Sequence, residues 1–170
     1  ISSMVNYKPQ DVAPWINSLL ATGYTDDIVV IDFGSPNETI KFLQSKGVKV
    51  FQSDLNGRHI VVERFIAMYQ FLMENPYSLV ITTDIRDVIF QDNPFKFIEE
   101  RQPSNKFHDR LIILSSEGLI YADEAWGNEN LTSSFPHTYE QFSIPPIYHA
   151  GVIAGQADHI QAFFLHIYHL

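Results

Sequence analysis

The sequence predicts one α/β domain with a mainly parallel central sheet and helices on both faces. Two observations carry this prediction. Apolar runs alternate with helical patterns over the first two thirds of the chain, and residues 27–33 form a continuous apolar run of the kind that a fully covered parallel strand shows. Strand and helix following each other in this order build a parallel sheet with helices packed on either side.

The first elements follow from local patterns. A short strand is expected at residues 2–5, and apolar side chains share one face of a helix at residues 11–22. After the strand at residues 27–33, a helix at residues 36–46 is expected to take Ser35 as its N-cap, because a proline follows at the first helical position.

The remaining elements continue the alternation. A strand at residues 48–51 precedes a helix at residues 60–73, which the 3.6-residue spacing of apolar side chains predicts. Further strands are expected at residues 79–83, 111–116 and 147–153, and a helix closes the chain. Residues 116–146 are loop-rich with short helices, and we expect them to form a substrate lid.

Composition narrows the function classes. The chain has 170 residues, 45% of them hydrophobic, which is enough for one packed domain over residues 1–170, and we expect it to be truncated at its C-terminus. A formal charge of −9 argues against a nucleic acid or an anionic membrane as the main partner. No membrane-spanning run, signal peptide or cysteine is found, which favours a cytoplasmic enzyme.

An acidic cluster follows the strand at residues 79–83. Its carboxylates fall at the carboxyl end of a strand, where ligands bind in parallel sheets. Asp84 and Asp87 are able to converge on one Mg²⁺ or Mn²⁺ ion, and a cation held by only two carboxylates completes its shell with water and phosphate oxygens. Arg86 between them is expected either to contact a phosphate or to pair with a neighbouring acid. The pattern therefore indicates a phosphorylated substrate.

Three segments of the chain are similar to one family. Residues 80–95, Val-Ile-Thr-Thr-Asp-Ile-Arg-Asp-Val-Ile-Phe-Gln-Asp-Asn-Pro-Phe, resemble the Asp-X-Asp region of GT-A-fold glycosyltransferases. Residues 64–72 are similar to the helix before that region, and residues 148–155 are similar to the segment that lines the donor sugar. The resemblance implies a GT-A, Rossmann-like sandwich that moves a sugar from a nucleotide-diphosphate donor to a hydroxyl of a glycan or another acceptor.

The resemblance also implies roles for particular residues. It makes Asp84 and Asp87 the ligands of Mn²⁺ or Mg²⁺, with a ribose contact as the alternative for Asp84. Arg86 stands where the usual second Asp would be when the motif is aligned from its left end, and Arg64 is placed within reach of the donor diphosphate. Two further residues would line the donor sugar, namely Gly151 and His149, the latter in place of the family's Asn.

The general base is less well defined by the sequence. Glu117 directly follows the strand at residues 111–116 and lies at the same edge of the predicted sheet, while Asp123 and Glu124 compete for the role of base or acceptor contact. Two other functions stay open. One is a nucleotidyltransferase or another phosphoryl-transfer enzyme, and the other is a non-catalytic domain that keeps the GT-A-like fold.

Overall fold

A six-stranded arrangement forms the centre of residues 1–100, 112–137 and 139–169, which the computed structural model describes. The strands are β1 (Ser2–Met4), β2 (Val29–Asp32), β3 (Lys49–Gln52), β4 (Leu79–Thr83), β5 (Ile112–Ile120) and β6 (Pro146–Gln156). One sheet has the order β1-β2-β3 and is parallel, whereas the other has the order β4-β6-β5 with β6 antiparallel to both neighbours.

Backbone hydrogen bonds at Ile1 join the two sheets. The Ile1 nitrogen donates to the Ile81 carbonyl oxygen at 2.6 Å, and the Thr83 N–H donates to the Ile1 carbonyl oxygen at 3.0 Å. This is the bonding pattern of parallel strands, so β1 lies beside β4 and runs in the same direction. In the described ranges, β6 alone runs against the others.

Helices cover both faces of the strands. They are α1 (Pro9–Ala21), α2 (Asn37–Ser45), α3 (Ile60–Glu74), α4 (Pro94–Glu100), α5 (Ala125–Ser134), α6 (Tyr139–Phe142) and α7 (Ala157–His169), with a 3₁₀ turn at Tyr121–Asp123. Alternate residues of β2 face opposite sides, so Val29 and Ile31 pack with α3 and α7, whereas Val30 packs with α1 and α2. None of the helices in the described ranges has the length and apolarity that crossing a bilayer requires.

The predicted α/β fold class is confirmed, and β4 has its predicted bounds. The strand predicted at residues 111–116 is longer than expected, since β5 reaches Ile120; Leu111 lies outside the described residues. The predicted N-cap of α2 is wrong. Pro36 occupies that position, because the backbone N–H of Ser35 donates to the buried carboxylate of Asp32 at 2.9 Å and holds Ser35 in the preceding turn.

Two side chains fix the carboxyl end of β4. The indole Nε1–H of Trp15 donates to Thr83 Oγ1 at 2.8 Å, and the hydroxyl of Ser2 donates to the Thr83 carbonyl oxygen at 2.6 Å. All three side chains are buried. Because Asp84 is the next residue, these bonds set the position from which its carboxylate leaves the sheet.

We predict that Trp15→Phe lowers the free energy of unfolding by about 1–3 kcal/mol, because the change leaves the buried Thr83 hydroxyl without its donor. Thr83→Val removes the other partner of the same bond. In a double-mutant cycle measured by urea unfolding, the two costs should couple by about 1 kcal/mol. Costs that simply add would show that this bond contributes nothing to stability.

Candidate functional site

Three elements meet at Asp84. This residue directly follows β4, and its backbone N–H donates to the Gly151 carbonyl oxygen of β6 at 2.8 Å. Its Oδ1 accepts from Arg64 Nη1 of α3 at 2.6 Å. The Arg64 side chain is 18% exposed and that of Asp84 is 37% exposed, so the pair is partly shielded and one side of the carboxylate still faces solvent.

The backbone of β6 passes close beneath this carboxylate at Gly151. A Cβ atom at this position would lie 3.2 Å from Asp84 Oδ2 and only 2.6 Å from Nδ1 of His149. Non-bonded carbon and nitrogen atoms do not approach so closely, so the position accepts glycine and no larger residue without a shift of its neighbours. The glycine therefore allows Asp84 and His149 to share one small space.

The same stretch of backbone selects the tautomer of a neutral His149 ring. The Gly151 N–H donates to His149 Nδ1 at 3.0 Å, which makes Nδ1 an acceptor and puts the proton of the neutral ring on Nε2. Ser115 Oγ lies 3.4 Å from the same Nδ1 and donates to the Val152 carbonyl oxygen at 3.0 Å. His149 is half-buried, and it offers Nε2–H as a hydrogen-bond donor.

The turn after Asp84 presents the other predicted ligands to solvent. Arg86 and Asp87 are both exposed, whereas Ile85 is buried in the core beneath α1 and α2. The buried isoleucine anchors the turn and leaves its two charged neighbours on the outside. The structure thus brings together Asp84, Arg64, His149 and Gly151, and it holds Asp87 three residues further along the same turn.

Beyond the sheet, β5 and β6 continue as a two-stranded ribbon. Ser115 pairs with His149, Ser116 pairs with Tyr148, and Ile120 pairs with Pro146, with register shifts between them. We use the term β5–β6 extension for residues 115–151, of which residue 138 is not described. It contains residues 116–146, the segment predicted to form a lid. The expected short helices are present there as α5 and α6, and β5 continues as far as Ile120 where a loop was expected.

The predicted general bases lie on the β5–β6 extension. Glu117 and Asp123 are both exposed. Glu124 has a different role, because its carboxylate accepts from the backbone N–H of Trp126 at 3.1 Å and from that of Gly127, and so caps the N-terminus of α5. A carboxylate bound in this way is less suited to take a proton from an acceptor, which leaves Glu117 and Asp123 as the candidates.

One buried charge was not singled out from the sequence. Glu63, in the first turn of α3, is 2% exposed, and its Oε1 accepts from Asn56 Nδ2 at 2.7 Å. Within the described ranges its Oε2 and the Nε of Arg64 are buried without a hydrogen-bond partner. Asn56 has a positive φ of 50°, and the Asn-Gly pair it begins was the sequence signal for this turn. Glu63 thereby holds the turn before α3 close to Arg64.

The residues at the end of β4 suit a hard divalent cation that takes only one or two of its ligands from the protein. Asp84 supplies carboxylate oxygens beside the sheet, and Asp87 supplies an exposed carboxylate in the same turn. No group of three or more His, Cys, Asp or Glu side chains in the described ranges is placed to hold a metal ion. Mg²⁺ and Mn²⁺ are commonly bound by one or two carboxylates when phosphate oxygens and water supply the other positions.

The fold is similar to that of solved nucleotide-sugar glycosyltransferases of the GT-A type. Glucosyl-3-phosphoglycerate synthase from Mycobacterium tuberculosis, in a complex with Mn²⁺, UDP-glucose and phosphoglyceric acid, is 15% identical, with a TM-score of 0.56. The alignment covers 92% of this chain and 55% of that one. Mannosyl-3-phosphoglycerate synthase from Rubrobacter xylanophilus is 16% identical, with a TM-score of 0.55, and 92% and 53% of the two chains are covered.

The chain thus spans about half the length of these solved structures. No protein-family model and no curated protein sequence matches it. The predicted GT-A fold is confirmed, while the roles of individual site residues stay predictions.

We predict that Gly151→Ala destabilises the protein by about 1–3 kcal/mol, because the added Cβ overlaps the His149 ring. In a His149→Ala background the nearest atoms are gone, and the same substitution should cost less. Urea unfolding of the four proteins in this cycle measures the difference. An equal cost in both backgrounds would contradict the close approach of Gly151 to His149.

Proposed function

We propose that this chain is the donor-binding part of a metal-dependent glycosyltransferase, which moves a sugar from a nucleotide diphosphate to an acceptor hydroxyl. The observation that carries the proposal is the position of Asp84. Its carboxylate lies just after the carboxyl end of β4, and Arg64 and the β6 backbone hold it there. Ligands of open α/β sheets bind at this edge.

The donor would bind with its diphosphate near Asp84 and Asp87. When bound, Mn²⁺ or Mg²⁺ would act as a Lewis acid that neutralises the charge of the leaving nucleotide diphosphate. Arg64 and the exposed Arg86 supply positive charge on the same side. This matters because the chain as a whole has a formal charge of −9 and would otherwise repel a diphosphate.

The sugar would lie against the β6 segment that contains Gly151. Since the His149 ring and the Asp84 carboxylate fill the space beside Gly151, the sugar would contact these two side chains, and Nε2–H of His149 would donate to a sugar hydroxyl or a phosphate oxygen. Asn, the residue that the family commonly has here, offers an acceptor and a donor in similar positions. His149 therefore serves as a donor to the substrate and not as a metal ligand.

The chemical step places an acceptor hydroxyl against the anomeric carbon. The acceptor oxygen forms a bond to that carbon, the bond from the carbon to the donor phosphate oxygen breaks, and the electron pair leaves with the nucleotide diphosphate. The proton of the hydroxyl passes to a carboxylate, for which Glu117 and Asp123 on the β5–β6 extension are our candidates. Holding both reactants in this geometry supplies much of the rate enhancement.

A non-catalytic domain is the strongest rival reading. It is favoured by one observation, that Arg64 already occupies Oδ1 of Asp84. A phosphoryl-transfer enzyme would also bind Mg²⁺ with paired acids. The first rival predicts no metal-dependent nucleotide binding. The second predicts that a nucleoside triphosphate reacts with a sugar phosphate to give a nucleotide sugar and pyrophosphate, with no sugar transfer to a hydroxyl.

We predict that UDP or GDP binds with an affinity that falls at least tenfold when Mn²⁺ is chelated, as measured by calorimetric titration. Asp84→Asn and Asp87→Asn should each weaken binding by a similar factor, because an amide is a poorer ligand for a hard cation. Asp92→Asn is the matched control, since Asp92 is exposed in the same turn and its carboxylate accepts from Asn93 N–H. Binding that is indifferent to Mn²⁺ and to both variants would refute the proposal.

A further inference from the structure

Positive charge is unevenly distributed along the chain. All 11 lysine and arginine residues occur at or before Arg110. The β5–β6 extension and α7 contain none, although they carry six acidic residues: Glu117, Asp123, Glu124, Glu129, Glu140 and Asp158. Arg64 and Arg86 lie next to the proposed diphosphate position, whereas the extension itself carries carboxylates and no cationic side chain.

The β5–β6 extension borders the place where an acceptor would approach. Thr83 at the end of β4 pairs with Val152, so residues 146–151 of β6 continue past the carboxyl end of β4. At about 3.3 Å per residue, this stretch reaches about 20 Å beyond the sheet. The 3₁₀ turn, α5 and α6 cap its far end, and the Ala122 N–H ties the turn to the Ser143 carbonyl oxygen at 3.1 Å.

Aromatic side chains are exposed along the β5–β6 extension. Tyr148 on β6 is 56% exposed, Phe142 on α6 is 50% exposed, and Trp126 in the first turn of α5 is 75% exposed. Three large aromatic side chains exposed on the same segment of the chain make it a candidate binding surface. Aromatic rings cover the apolar faces of sugar rings, while carboxylates accept hydrogen bonds from sugar hydroxyls.

Charge decides between the two kinds of acceptor that this surface could serve. A phosphorylated acid such as the phosphoglyceric acid of the similar M. tuberculosis structure carries several negative charges. Those charges need a local cation, and the extension itself offers five carboxylates and no lysine or arginine. An uncharged saccharide meets no such repulsion. An oligosaccharide of several units is long enough to lie along the roughly 20 Å that the extension reaches beyond the sheet.

We infer that the acceptor is an uncharged oligosaccharide that lies along the β5–β6 extension, with its sugar rings against Tyr148 and Trp126. The inference rests on the proposed glycosyl transfer and narrows its acceptor. One hydroxyl of the end unit is the nucleophile, and the remaining units supply affinity through the exposed rings. The surface thus selects neutral glycans and rejects phosphorylated acids.

The fluorescence of Trp126 provides a direct test for saccharide binding to the extension. The chain has two tryptophans, and Trp15 is 2% exposed whereas Trp126 is 75% exposed, so an added saccharide should change the emission of Trp126 alone. The whole chain is titrated with neutral oligosaccharides (cellotetraose, maltotetraose and a mannotetraose) and separately with 3-phosphoglycerate, each with UDP and Mn²⁺ present. Trp126→Phe identifies the origin of the signal, and binding to Trp126→Ala is followed by calorimetry.

We predict saturable binding of at least one neutral tetrasaccharide, weakened about tenfold by Trp126→Ala and also by Tyr148→Ala. Its affinity should change little between low and high salt, because an uncharged ligand releases no counterions. Phe51→Ala is a matched control, since Phe51 on β3 is 40% exposed but lies outside the extension.

Each other outcome has a definite meaning. Binding of 3-phosphoglycerate without binding of the neutral saccharides would overturn the inference. Absence of binding by either kind of ligand, while UDP still binds with Mn²⁺, would overturn it as well. Loss of Mn²⁺-dependent UDP binding with saccharide binding retained would instead refute the proposed function and leave the saccharide surface standing.

Discussion

The antiparallel pairing of β4 with β6 is the interaction on which the candidate site depends. Their register places Thr83 opposite Val152, and the bond from Asp84 N–H to the Gly151 carbonyl oxygen extends this ladder by one step. A slip of one residue would exchange the two faces of the strand and bring a residue with a Cβ beneath the Asp84 carboxylate. The buried anchors of Trp15 and Ser2 at Thr83 hold the register in place.

The two parts of the proposed site differ in charge and chemistry. Arg64 and Arg86 stand on the side of α3 and β4, next to the acids that suit a divalent cation, so that side matches a metal-bound diphosphate. The β5–β6 extension has carboxylates and exposed aromatic rings, which suit hydroxyls and the apolar faces of sugars. In the proposed reaction the donor is strongly anionic, whereas the acceptor only has to present a hydroxyl group.

Local sequence patterns predict most positions of the strands and helices, but not which of them lie next to each other. The bounds of β4 follow from a buried apolar run that ends in polar residues. By contrast, Arg64 and Asp84 are 20 residues apart, and their meeting depends on how α3 packs beside β4. Residues 117–120 lie beyond the predicted end of β5, because no local pattern shows that Ile120 pairs with Pro146 of β6. Glu124 is an unusual N-cap residue, so its bonds to the α5 backbone had no strong sequence signal.

The central claim is that the acids after β4 bind a divalent cation together with a nucleotide diphosphate. Crystals grown with Mn²⁺ and UDP, measured for anomalous scattering at the manganese edge, test it most directly. We expect one strong peak for a Mn²⁺ ion, about 2.1 Å from a carboxylate oxygen of Asp84 or Asp87 and also bound to the UDP phosphates. Manganese elsewhere, or UDP bound with Asp84 still paired to Arg64 and no peak beside either carboxylate, would contradict the account.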